Sequence, residues 1–152
     1  MGRIEKEEFI IGSISLLANK LSQIGDVIFP DITFKQWFLL IVIEKMGKAE
    51  KNINDIAECM GTTRQNIKKM VSLLEPKGYV SISKSQQDAR ALKVQLTEKT
   101  YSYFKDNSVH AAQETNKLFE MFTSEELDDF VFKLQKLSQS VELYQKRNGK
   151  DE

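Results

Sequence analysis

The stretch that decides the fold is Ile53-Asn54-Asp55-Ile56-Ala57-Glu58-Cys59-Met60-Gly61-Thr62-Thr63-Arg64-Gln65-Asn66-Ile67-Lys68-Lys69-Met70-Val71-Ser72-Leu73-Leu74. Its first part carries apolar residues at 53, 56, 57 and 60, and Asn52 stands before it as a helix cap. Gly61 closes that short helix. Thr62 and Thr63 restart the chain as a second helix, with Ile67, Met70, Val71 and Leu74 on one face. At about 100° per residue, Gln65, Lys68, Lys69 and Ser72 fall opposite that face and Arg64 on its flank. No acidic residue occurs from 62 to 74.

Downstream, Pro76-Lys77-Gly78 ends the helix. Tyr79–Ser83 and Ala91–Leu96 alternate apolar and polar residues around the polar loop Lys84–Arg90, which predicts a two-stranded hairpin. Upstream, Phe9, Ile10, Ile14, Leu17, Leu21 and Ile24 predict a helix over 5–25, closed by Gly25. A second helix is expected from Thr33 to about Met46. Its centre, Trp37–Ile43, is apolar on every side and therefore expected to be buried all round. Thr97 can cap a helix from 98 to about 121. Thr123 with Glu126 forms a capping box for a last helix reaching about Arg147.

Helix, helix, glycine turn, helix and hairpin is the plan of a winged helix-turn-helix. The expected fold is mainly α: a winged lobe over 31–97 with a short β-hairpin wing, flanked by dimerisation helices over 1–30 and 98–152. The terminal helices carry more apolar surface (Phe9, Ile10, Ile11, Phe130, Phe132, Leu143, Tyr144) than such a lobe can cover, which points to a homodimer.

Charge is distributed to match. The chain of 152 residues has no net charge, yet residues 62–93 hold seven basic and two acidic side chains. A locally basic segment in a neutral chain suits a compact reader of double-stranded DNA. Gln65 and Asn66 can read base edges, and Arg64, Lys68 and Lys69 can meet guanine or phosphate. Thr62 and Thr63 can hold a phosphate at the helix start. Lys84 and Arg90 of the hairpin can reach phosphates or the neighbouring minor groove.

Other classes find little support. Hydrophobic residues make up 41% and charged residues 29%, which argues against disorder. The longest apolar run is seven residues, far short of the roughly 18 needed to span a bilayer. Glu5, Glu7 and Glu8 occupy the place of a signal peptide's basic region, so a cytoplasmic location is expected. One cysteine, Cys59, and one histidine, His110, exclude an internal disulfide and leave no metal-ligand spacing, so neither metal nor cofactor is expected. Cys59 has no basic neighbour in sequence to activate it and reads as structural. His110 reads as a helix-surface residue. No nucleophile has a suitable histidine and acid partner, and no phosphate loop occurs, so an enzyme is not expected.

The same residues resemble the MarR family of transcriptional regulators. Ile53–Gly61 is similar to its bracing helix and Leu74-Glu75-Pro76-Lys77-Gly78-Tyr79-Val80 to the end of its recognition helix. Asp88-Ala89-Arg90-Ala91 followed by Leu96-Thr97-Glu98-Lys99 resembles its wing and next helix start. Thr33-Phe34-Lys35-Gln36-Trp37 and Thr123-Ser124-Glu125-Glu126-Leu127 resemble two further helix openings. Thr100 stands where the family usually has glycine; inside a helix, little effect is expected. The resemblance implies a triangular homodimer on a pseudopalindromic operator, acting as a repressor, with Arg90 in the DNA groove or on a phosphate and Asp88 orienting it. It also implies a small aromatic or anionic effector between the dimer and DNA regions. Phe29, Phe34, Trp37 and Phe38 could line that pocket, although aromatics at helix spacing read first as core. The alternative is a winged-helix interaction or scaffold module that does not bind DNA, which zero net charge favours.

Overall fold

Asn52 and Thr63 both cap helices, and those two starts organise the lobe. The computed structural model describes residues 1–47, 51–86 and 91–148. Helix α3, Ile53–Met60, begins where the Asn52 side chain accepts from Asp55 N at 2.9 Å. It ends at Gly61, which takes the left-handed conformation at φ 62° that a glycine adopts without strain. Helix α4, Arg64–Leu74, begins where Thr63 Oγ1 accepts from Asn66 N at 3.2 Å. Its apolar face, Ile67, Met70, Val71 and Leu74, is buried.

Around this pair the elements follow the predicted order. Helix α1 spans Arg3–Ile28, α2 Phe34–Lys45, α5 Glu98–Phe119 and α6 Ser124–Asn148. Strands β1, Val80–Lys84, and β2, Leu92–Leu96, pair antiparallel with Val80 opposite Leu96 and Lys84 opposite Leu92. Beyond the hairpin, Val94 N donates to Lys51 O at 2.8 Å, so the segment before α3 lies along β2. The core is built from Leu39, Leu40 and Ile43 of α2, Ile53 and Ile56 of α3, the inner face of α4, and Val80 and Val94 of the hairpin. Each fully buried aliphatic side chain stabilises by about 1.5–3 kcal/mol relative to exposure.

The chain forms two compact units, Met1–Ala111 and Ala112–Glu152. The second opens α6 with a reciprocal cap: Thr123 N donates to Glu126 Oε2 at 2.9 Å, and Glu126 N to Thr123 Oγ1 at 3.2 Å. Phe119, Phe122 and Phe130 cluster beside it, the last two stacked at 6.3 Å.

The structure corrects four readings. Gly25 does not close α1; it is buried inside the helix, where a Cβ would lie 2.1 Å from Phe34 Cδ2. It is a close-approach glycine, and α1 continues for three more residues. Helix α2 is not buried all round, because Phe38 is 44% exposed. Thr97 sits at the start of α5, but its hydroxyl donates to Gly78 O at 2.6 Å. Thr100 is fully buried, and its hydroxyl donates to the Tyr79 carbonyl. It therefore ties α5 to the start of the hairpin, a larger part than its place within a helix suggested.

Candidate nucleic-acid interface

Burial of Ile67, Met70, Val71 and Leu74 turns the rest of α4 outward. Thr63, Arg64, Gln65, Asn66, Lys68, Lys69 and Ser72 are all exposed, with Thr62 half-buried at the turn. The centre of the outward face is Gln65, Lys69 and Ser72, four and three residues apart, with Lys68 alongside. Asn66 is held in place: its Nδ2 donates to Thr62 Oγ1 at 2.9 Å. That bond leaves the amide carbonyl as its free acceptor. Arg64 occupies the flank, lining a small cleft with Asn52, Asn54, Ala91 and Leu92 between the start of α3 and the loop end of the hairpin. Lys84 is exposed at the end of β1. Asp88 and Arg90, given the wing roles above, lie outside the described residues.

Of the other basic residues in the segment, Lys77 is engaged elsewhere. Its ammonium donates to the Asp31 main-chain carbonyl and lies 3.4 Å from Asp31 Oδ1. Asp31 itself has φ 69°, a left-handed conformation that aspartate tolerates better than most residues. The Tyr79 hydroxyl donates to Asp31 Oδ2 at 2.8 Å. That hydrogen bond, helped by Lys77, holds the Asp31 carboxyl below its usual range. Burial first, then the facing carboxylate, pushes the Tyr79 phenol upward. Tyr103 of α5 packs edge-on against the Tyr79 ring at 5.4 Å, and its hydroxyl donates to Pro30 O at 2.8 Å. Burial raises the Tyr103 phenol to about 12. Lys99 lies 4.5 Å over the Tyr79 ring. The loop between α1 and α2 is thus pinned to the junction of α4 and β1. Sequence reading missed this node, because its bonds join residues 46 to 73 positions apart.

The four aromatics proposed for an effector pocket divide. Phe29 and Trp37 stack at 4.3 Å and line a cleft of about 320 Å³. Phe34 packs 5.6 Å from Trp37 and Phe38 stacks on Phe34 at 6.5 Å; neither lines the cleft. The remaining wall comes from Ile41 and Glu44 of α2 and from the Tyr103–Ala111 segment of α5. Glu44 was missed as a site residue; its signal was the spacing from Trp37 and Ile41, seven and three residues, which places all three on one helix face.

Cys59, read above as structural, is exposed on α3. His110 is exposed on α5. Among the described residues no group of three or more His, Cys, Asp or Glu could hold a metal ion, and no helix is long and apolar enough to cross a membrane.

Comparison with known proteins fits this geometry. Residues 31–91 match the sequence profile of the MarR family. An uncharacterized HTH-type transcriptional regulator of Bacillus subtilis (strain 168), YfiV, is 26% identical over 138 residues, covering 91% of this chain and 85% of that protein. A MarR/EmrR family transcriptional regulator from Acinetobacter sp. ADP1 superposes with a TM-score of 0.76 at 23% identity, over 90% of this chain and 97% of that one. MepR of S. aureus, solved as a DNA complex, superposes with a TM-score of 0.73 at 20% identity, over 84% and 94%. The profile match falls on the winged lobe, and the likeness in fold extends across the flanking helices. Over residues 31–91 the chain is similar to the MarR family, and its fold is that of winged-helix regulators.

Proposed function

We propose that the protein is a non-enzymatic, cytoplasmic, sequence-specific regulator of transcription that binds double-stranded DNA as a homodimer. The observation that carries this reading is the outward face of α4. It is exposed, basic and free of acids, and the buried face behind it fixes its direction. In the major groove, Gln65 and the Asn66 carbonyl meet base edges, while Lys68, Lys69 and the Thr62–Thr63 turn meet phosphates. Lys84 and Arg90 extend the contact from the wing. The DNA-bound MepR of similar fold supports this assignment.

Residues 31–97 form the reading lobe, and 1–30 with 98–152 hold the dimer. Phe9, Ile10 and Ile11 on α1 are 63%, 48% and 66% exposed, and Phe132 and Tyr144 on α6 are 62% and 70% exposed. A second copy covers such surfaces. Two lobes related by a twofold axis read half-sites about 34 Å apart, which makes the operator pseudopalindromic. The protein acts as a repressor and is released by a small effector in the cleft beside Phe29 and Trp37. Tyr103 links cleft to reader: it lines the cleft and holds Pro30, next to the Asp31 that grips Lys77 and Tyr79. A ligand that shifts Tyr103 loosens the seat of α4.

Fluorescence anisotropy with the DNA upstream of the protein's own gene tests the DNA reading. Binding is expected to weaken steeply with salt, and Lys68→Ala with Lys69→Ala to flatten the slope by about two. Salt-independent binding that survives both substitutions would sink it.

A further inference from the structure

We infer that the cleft between α2 and α5 accepts an organic cation: a small aromatic molecule bearing an ammonium or amidinium group, with Glu44 as its counter-ion. This rests on the reading of the cleft as an effector site and specifies its ligand. The aromatic requirement follows from the stacked Phe29–Trp37 pair, with Ile41 and Phe104 completing the apolar wall. The volume, about 320 Å³, suits a one- or two-ring compound.

The charge requirement follows from what the polar lining has left to offer. Among the described residues, Glu44 is the one charged residue of the lining; it is half-buried, and no hydrogen bond or ion pair engages it there. The other polar side chains have given up donors to backbone carbonyls. Tyr103 Oη donates to Pro30 O at 2.8 Å, Ser108 Oγ to Lys105 O at 2.9 Å, and Asn107 Nδ2 to Tyr103 O at 2.9 Å. Acceptor atoms therefore predominate: the carboxylate, two hydroxyl oxygens and the Asn107 carbonyl. The donors left are the second amide hydrogen of Asn107 and the Trp37 indole N–H. An anion entering here meets a carboxylate, with no compensating cation among the described lining residues. An ammonium group finds a counter-charge, acceptors for its hydrogens, and aromatic faces that attract positive charge. Of the aromatic or anionic effector that the family resemblance implies, this keeps the aromatic character and replaces the anionic one.

Isothermal titration of the full chain with three probes of one shape separates the possibilities: naphthylmethylammonium, naphthylmethanol and naphthoate. The ammonium compound is expected to bind about tenfold more tightly than the alcohol, with naphthoate weakest. Glu44→Gln should bring the ammonium compound within about twofold of the alcohol and leave the alcohol unchanged. Tightest binding by naphthoate, or a cation preference that survives Glu44→Gln, overturns the inference. Equal binding of all three leaves the cleft a ligand site and removes the cation assignment. If none binds to protein that still binds DNA, the effector reading falls, and the inference with it.

Discussion

Replacing Gly25 by alanine sets two physical effects against each other. Inside a helix, alanine is favoured over glycine by about 1 kcal/mol, so the sequence alone predicts stabilisation. The structure predicts the opposite. A Cβ at position 25 would lie 2.1, 2.5 and 2.7 Å from Cδ2, Cγ and Cβ of Phe34, against ordinary carbon contacts of about 3.5–4.0 Å. Swinging the ring away relieves the first two contacts but not the third, because Phe34 Cβ moves only with its backbone. That backbone is fixed in turn: Phe34 N donates to Asp26 Oδ1 at 2.7 Å, and Thr33 caps α2 through Gln36 N at 3.2 Å. Overpacking of this kind costs about 1–3 kcal/mol, and the overlap here belongs at the upper end. After the helix gain is subtracted, Gly25→Ala should destabilise by about 1–2 kcal/mol. Urea unfolding at one fixed protomer concentration measures it. In a Phe34→Gly background all three of these atoms are gone, and the same substitution should be neutral or stabilise by up to about 1 kcal/mol. A rise in stability on Gly25→Ala in the otherwise native protein would refute the argument.

Thr100→Val keeps the shape but removes the donor to the Tyr79 carbonyl, which Thr97 N still reaches at 3.2 Å; unfolding should become easier by about 1 kcal/mol. Thr100→Gly, the family's usual residue there, should cost about 2 kcal/mol, because a helix interior also disfavours glycine. In the native state Tyr103 and Tyr79 both hold their protons above the ordinary tyrosine value. Their contribution is therefore complete below about pH 10 and is lost as pH rises toward about 12. Unfolding monitored across that window should show falling stability, and Tyr103→Phe should reduce the slope. Ile10→Glu on the exposed face of α1 should raise the dimer dissociation constant by at least about tenfold in sedimentation experiments; an unchanged constant would remove α1 from the interface.

Features written in neighbouring residues were legible in the sequence. The Asn52, Thr63 and Thr123 caps each depend on a group three positions away. The inner face of α4 follows from a spacing that one helix enforces by itself. What remained hidden depends on distant partners. Gly25 looks like a helix stop until Phe34 is placed against it. Thr100 looks incidental until its hydroxyl meets the Tyr79 carbonyl. Phe38 sits in a continuous apolar run, and only the orientation of α2 shows that it faces outward. Within the candidate interface, the outward set from Gln65 to Lys69 was readable, but the retention of Asn66 by Thr62 and of Lys77 by Asp31 was not. The cleft is the clearest case. Two of its aromatics were foreseen, whereas Glu44 and Tyr103 join it only because α2 and α5 come together.

The most direct test of the central claim is selection of binding sites from a random duplex library. The native protein should enrich a pseudopalindrome whose half-sites are centred about 10 base pairs apart. Gln65→Ala should relax the preference at one position, the same in each half-site, where a direct base contact is worth about 1–3 kcal/mol of discrimination. Failure to enrich any sequence, or an enriched site that Gln65→Ala with Lys69→Ala leaves unchanged, would contradict the assignment of α4 as the reading helix.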